Sequence, residues 1–207
     1  MDHQKFCQTY GENVSRETFD KLSLYVELLK KWQPKINLVS PKTIDEVWSR
    51  HILDSVQISP FITETHEKET LLADFGSGAG FPGLILSALG FINVHLVESD
   101  QRKTVFLKEV ARQCDLPVTV HNKRIEDTEL ENISCITARA LSSLDQLFTY
   151  AVPVLKQGGE CYFLKGASVD QEIEEAQKNW NFSFTKRPSL TEQDACILHI
   201  TDIKSAA

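Results

Sequence analysis

The sequence predicts an α/β fold: a mostly parallel, seven-stranded sheet with an antiparallel terminal strand, preceded by a small N-terminal helical extension. Three observations predict it. From about residue 70, short apolar runs alternate with amphipathic segments of helical spacing, the pattern of a parallel sheet covered on both faces. The stretch DFGSGAGFPG, residues 74–83, sets four glycines between the first such run and the first such helix. The last two strand-like runs, FSFTKR and ACILHITDI, have no helical segment between them and read as a hairpin that adds one antiparallel strand.

Residues 1–66 read as the helical extension and residues 67–207 as the sheet domain. Ser15 is placed as an N-cap ahead of Phe19, Leu22, Val26 and Leu29 at helical spacing, with Tyr25 and Trp32 widening the stripe. Pro34 is expected to end that helix. Thr43 and Glu46 have capping-box spacing before Val47, Trp48 and Ile52, and a second helical piece is expected through RHILDSVQI up to Pro60. Then TLLADF reads as a buried strand, and PGLILSALG as a helix with proline in its first turn and glycine after its end. NVHLVES is a strand, and QRKTVFLKEVARQCD a helix turning Val105, Phe106, Val110 and Cys114 inward. PVTVH and ISCITARA are strands, LDQLFTYAVPVL is helical as far as Pro153, ECYFLKG is a fifth strand, and VDQEIEEAQKNW is a helix with a polar face. With no repeat, low-complexity tract or linker in view, the first helices are expected to pack on the same body.

Composition narrows the chemistry. Hydrophobic residues make up 42% of the 207 and charged residues 25%, enough for one sizeable core. No apolar stretch approaches the ~20 residues of a membrane span, and the start MDHQKFCQTYGENVSRE lacks the basic-then-apolar pattern of a secretory signal. Five cysteines (Cys7, Cys114, Cys135, Cys161 and Cys196) are scattered without a C-x-x-C pair, against a disulfide framework or zinc site and for a reducing cytosol. The net charge of −7 disfavours a protein that coats nucleic acid, although a local basic face is compatible with it.

A glycine loop between strand and helix lets backbone N–H groups and the helix N-terminus face a ligand, at the sheet edge where such folds bind ligands. Two cofactor readings fit the letters. Gly78-Ala79-Gly80-Phe81-Pro82-Gly83 is a literal G-x-G-x-x-G, which would make the protein a nicotinamide-dependent oxidoreductase. Asp74, Gly76, Gly78 and Gly80 instead form an acid followed by alternate glycines, similar to motif I of class I S-adenosylmethionine methyltransferases. The dinucleotide fingerprint wants its first glycine at the strand end, which is Gly76, and its third then falls on Phe81. A carboxylate at Asp74 also suits a ligand with an ammonium group and hinders a pyrophosphate, so the methyltransferase reading is preferred. Glu98, about 20 residues on at the end of a strand, suits ribose hydroxyls in either case. A dehydrogenase would further need a substrate domain for which there is no room.

The methyl acceptor is narrowed by absences. Where an exocyclic-amine methyltransferase carries N/D-P-P-Y/F, this chain reads TARAL; Cys135 lies within a strand, and none of the five cysteines is flanked by proline. Arg139 stands where a metal-dependent catechol-type enzyme would want acids. A ring nitrogen such as N-7 of guanine, which carries a lone pair and no proton, needs only alignment in a water-poor pocket.

NLVS, RHILDS, DFGSGAGFPG, LVES followed by RKTVFLK, RIED, ARAL and LKG occur in this order over about residues 20–170. Together they resemble the bacterial small-subunit ribosomal RNA methyltransferase G family, also called glucose-inhibited division protein B. The resemblance implies a Rossmann-like class I methyltransferase fold and methyl transfer from S-adenosylmethionine to N-7 of one guanine in the 530 loop of 16S ribosomal RNA. It implies a cytoplasmic bacterial enzyme whose partner is that RNA or the small-subunit particle, acting as a monomer without membrane or metal. By matching position, Gly76, Phe81, Ile125, Glu126 and Arg139 contact the cofactor, with Asp74, Gly78, Gly80 and Glu98 completing its site. Arg139 has the positioning role, no general base being expected, and His51, Asp54 and Lys165 are candidates for pocket or RNA contact. A non-catalytic RNA-binding assembly factor of the same fold is the remaining alternative.

Overall fold

Leu72–Phe75 (β1) is buried at every position and lies in the interior of the sheet. Its side chains alternate between two apolar layers, as the pleat requires: Leu72 joins one, Ala73 and Phe75 the other. The computed structural model describes residues 1–10 and 14–206. Val94–Val97 (β2), Val118–His121 (β3), Ile133–Arg139 (β4) and Leu155–Lys165 (β5) run parallel to β1. Trp180–Pro188 (β6) and Cys196–Ser205 (β7) form the expected hairpin, with β7 inserted antiparallel between β5 and β6 to give the order β3-β2-β1-β4-β5-β7-β6. The order reverses between β1 and β4, and the carboxyl ends of these two strands open the crevice where such sheets bind ligands.

The N-terminal helices are His3–Tyr10 (α1), Arg16–Ile36 (α2), Asp54–Val56 (α3) and Ser59–Thr63 (α4); Gly83–Ala88 (α5), Gln101–Gln113 (α6), Leu144–Ala151 (α7) and Val169–Ala176 (α8) follow β1, β2, β4 and β5. Phe6, Leu22, Leu29 and Ile52 of the N-terminal segment share one apolar layer with Leu72, Leu84 and Phe106, while α7 and α8 cover the other face through Leu147, Phe148 and Ile173.

Local expectations met several corrections. Ser15 caps α2 by accepting from the Thr18 amide (3.0 Å), as read, but the helix continues through Pro34 to Ile36. Near a helix end a proline removes one hydrogen bond without breaking the turns beyond it, and Asn37, in the left-handed region, closes the helix by donating its N–H to the Gln33 carbonyl (3.1 Å). Pro60 opens α4 rather than stopping a helix, since its missing N–H lies among amides that have no intrahelical acceptor. Thr43 and Glu46 form no capping box; Thr43 ends a short 3₁₀ turn, and Trp48–Leu53 is a π-helical turn leading into α3. In α6 Phe106, Val110 and Cys114 face inward as expected, but Val105 is 49% exposed and Thr104 and Leu107 take the buried places. Accordingly Val105→Lys is expected to leave the free energy of unfolding within about 0.5 kcal/mol in a denaturant titration.

Candidate active site

The chain leaves β1 in a turn that strains any side chain at Gly76: its φ is +63°, and a Cβ there would lie 2.5 Å from the Leu141 side chain, which would have to move. Beneath this turn Asp74 is wholly buried, accepting from the Thr137 hydroxyl (2.9 Å) and the Gly83 amide (3.2 Å). Burial raises its carboxyl to about 6, against the lowering effect of those hydrogen bonds. Asp74 thus ties β4 and the start of α5 to the loop and does not face a ligand. Glu98, just beyond β2, accepts from the amides of Gly78 (2.9 Å) and Asp100 (2.7 Å), fixing the far side of the loop.

A cavity of about 350 Å³ lies in front of this loop, between Gly76, Gly78, Glu98 and the short turn bearing Ile125 and Glu126. Five of the expected cofactor residues therefore gather at one wall. Asp74, Gly80, Phe81 and Arg139 do not line it. Gly80 faces the apolar layer, where a Cβ would meet Leu84 at 2.4 Å. The Phe81 ring is buried between Tyr25 (5.4 Å between centroids) and His51 (5.2 Å, nearly parallel). Arg139 sits over the same ring at 4.8 Å, a cation–π contact.

A second cavity, of about 410 Å³, opens on the other side of Ala140 and Ser142, which border both spaces. Arg139, at the end of β4, is its centre. The guanidinium donates to Asp54 Oδ2 (3.1 Å) and the Arg50 carbonyl (3.3 Å), and lies 3.1 Å from His51 Nδ1. The π-helical turn and the start of α3 deliver these three partners together, so His51 and Asp54 share one face. His51 Nε2 meets the Thr43 hydroxyl at 2.8 Å. Burial first, then Arg139 and Arg50, lowers His51 to about 4, leaving it neutral at pH 7. Lys165 lines this cavity but is held by Glu172 (2.6 Å) and the Ser142 carbonyl (2.9 Å).

Sequence reasoning missed the wall supplied by the β6–β7 connection. Thr191 donates to Asp54 Oδ1 (2.8 Å), and Arg50 donates to Glu192 Oε1 (3.1 Å), partners 137 and 142 residues apart. No local pattern marks such pairs. Cys135 and Cys161 are buried with their thiols pushed far up by desolvation, so neither supplies a thiolate. Among the described residues no group of three His, Cys, Asp or Glu is placed to hold a metal, and no helix is long and apolar enough to cross a membrane.

Comparison with known proteins agrees with this arrangement. The family model described as rRNA small subunit methyltransferase G matches residues 18–201. A protein named ribosomal RNA small subunit methyltransferase G from Paramagnetospirillum magneticum is 50% identical over 190 residues, covering 92% of this chain and 91% of the relative. One of the same name from Rhodospirillum centenum is 44% identical over 190 residues, with 92% and 87% covered. Among solved structures, an S-adenosylmethionine-dependent O-methyltransferase from Thermotoga maritima superposes with a TM-score of 0.57 at 14% identity, covering 88% of this chain and 72% of that one, which shows the shared fold. The oxidoreductase reading of Gly78-x-Gly80 falls with these matches, and the chain belongs to the rRNA small subunit methyltransferase G family.

Proposed function

We propose that this protein transfers the methyl group of S-adenosylmethionine to the N-7 nitrogen of a guanine in the 530 loop of 16S ribosomal RNA. The observation that carries the reading is the pair of cavities meeting at Ala140 and Ser142, one walled by the glycine loop and Glu98, the other centred on Arg139. When bound, S-adenosylmethionine supplies a sulfonium methyl, and its transfer to a ring nitrogen leaves no proton to be removed.

The residues fit that cofactor. The Glu98 carboxylate stands where a ribose needs acceptors, Ile125 and Glu126 offer an apolar and a polar contact for adenine, and Gly76 and Gly78 bring bare backbone to the cavity. Beside Arg139 in the second cavity neither His51 nor Asp54 is free to act as a general base. Both ring nitrogens of His51 and both oxygens of Asp54 are engaged, which suits an acceptor that needs alignment alone. Arg139 fixes that alignment.

The protein acts in the bacterial cytoplasm on the RNA or the small-subunit particle, as a monomer and without a metal. Residues 1–66 serve as a helical extension that contributes Arg50, His51 and Asp54 to the substrate wall of the 67–207 domain. Borohydride and aniline cleavage of 16S RNA from cells with and without the protein tests the reading. A cut in the 530 loop should appear only with it, and an unchanged pattern would refute the substrate. A protein that binds the RNA yet never consumes labelled S-adenosylmethionine would be an assembly factor instead. For the cofactor, Glu98→Ala should weaken S-adenosylhomocysteine binding by about 1.5–3 kcal/mol in calorimetry, the scale of a lost hydrogen bond to a charged group.

A further inference from the structure

We propose that Glu192 selects guanine by accepting from its Watson–Crick edge, an inference that rests on the guanine reading above. Three carboxylates line the second cavity: Asp54, Glu172 and Glu192. Two are saturated. Asp54 accepts from Arg139 on Oδ2 and from Gln57 and Thr191 on Oδ1. Glu172 accepts from Lys165 and the Leu144 amide on Oε2 and from Ser168 on Oε1. Among the described residues Glu192 accepts only from Arg50, on Oε1 at 3.1 Å. Its Oε2 has no donor among the described residues, and its side chain is 52% exposed at the cavity wall.

Guanine presents two parallel donors, N1–H and the 2-amino group, and a carboxylate accepts both at once. Adenine presents a bare ring nitrogen at the first position and a C–H at the second, so the same carboxylate repels it. A group placed to bond a substrate donor rejects the analogue that lacks it more strongly than any apolar wall could. A second observation shows where the rest of the base lies. The Ser142 hydroxyl is buried without a partner in the wall common to both cavities, the condition of a polar atom awaiting a ligand. With its amino edge at Glu192, the base turns O6 and the neighbouring N-7 toward that hydroxyl and the cofactor cavity behind it.

The alternative role for Glu192 is to anchor the β6–β7 connection through Arg50, and substrate analogues separate the two. Small-subunit particles are reconstituted with 16S RNA carrying guanosine or inosine, which lacks the 2-amino group, at the target position. Wild type should lose about tenfold in kcat/KM on inosine. Glu192→Gln should lose about 10- to 100-fold on guanosine, and its penalty for inosine should shrink to threefold or less, with S-adenosylhomocysteine binding unchanged. Arg50→Gln breaks the same ion pair but keeps the carboxylate, and should keep the inosine penalty. An inosine penalty of equal size in wild type and Glu192→Gln, or none in wild type, overturns the assignment. Absence of transfer to guanosine by the wild type overturns the function on which it rests.

Discussion

Arg139→Ala should depress kcat/KM for methyl transfer by about 2–4 kcal/mol, the scale of losing one preorganised charged contact in a site. The same change should lower the melting temperature, because Asp54, 17% exposed at its side chain, loses its one cationic partner among the described residues. The two effects separate in a double variant. Asp54→Asn removes the stranded charge, so Asp54→Asn with Arg139→Ala should regain much of the stability of Arg139→Ala and none of its activity. Arg139→Lys should sit near Arg139→Ala in rate, since an ammonium cannot reach Asp54 and His51 together as the planar fork does. Recovery of activity along with stability in the double variant would make Arg139 a scaffold residue only.

Stability in mildly acid solution should depend on two groups of opposite sign. Asp74 has a folded value of about 6 against an ordinary 3.8, so its contribution is fully present below about 3.8 and is lost as pH rises through about 6. His51, at about 4 against 6.5, contributes fully above 6.5 and loses that contribution as pH falls through about 4. Protonated His51 would become a third cation beside Arg139 and Arg50, with Asp54 the nearby anion and Thr43 and Phe81 uncharged. In wild type the two trends oppose each other between pH 4 and 6.5. Asp74→Asn keeps both hydrogen bonds, the amide oxygen accepting from Gly83 and the NH₂ donating to Thr137. It should therefore gain up to ~3 kcal/mol at pH 8, the equivalent of the ~2-unit elevation of Asp74, and lose that advantage as pH falls toward 4. His51→Gln should do the reverse, gaining on wild type as the solution is acidified. Denaturant titrations from pH 4.5 to 8 read both, and parallel curves for all three proteins would sink the argument.

The sheet was legible because its signals are local. Burial of β1 on both faces is marked by the apolar residues Leu71, Leu72, Ala73 and Phe75 around Asp74, and α6 by the 3.6-residue stripe through Phe106, Val110 and Cys114. The glycine loop was legible as a tight, bare turn, but which glycines face the cavity was not: Gly76 and Gly78 line it, whereas Gly80 and Gly83 make room for Leu84 and Leu96. Direction was harder to read. Nothing in the letters distinguishes Asp74 under the loop from Asp74 at the rim, and which side of the pleat it takes depends on the pairing of β1 with β4. Prolines misled at Pro34 and Pro60 because their cost depends on their place within a turn, which a list of residues does not give. The β6–β7 wall was invisible for want of any short-range trace.

The insertion of β7 between β5 and β6 has a consequence for the order in which a growing chain becomes competent. Strands β1 to β5 and the glycine loop exist once about 165 residues have been made, so the cavity in front of that loop can close early. Asp54 and Arg50 wait for Thr191 and Glu192, which arrive only with the connection into the last strand, and such distant pairings form late. This wall of the second cavity is therefore finished only after all five parallel strands have left the ribosome. A polypeptide halted at β5 would leave Asp54 without Thr191 and Arg50 without Glu192, so this wall is set only after the parallel strands that it adjoins.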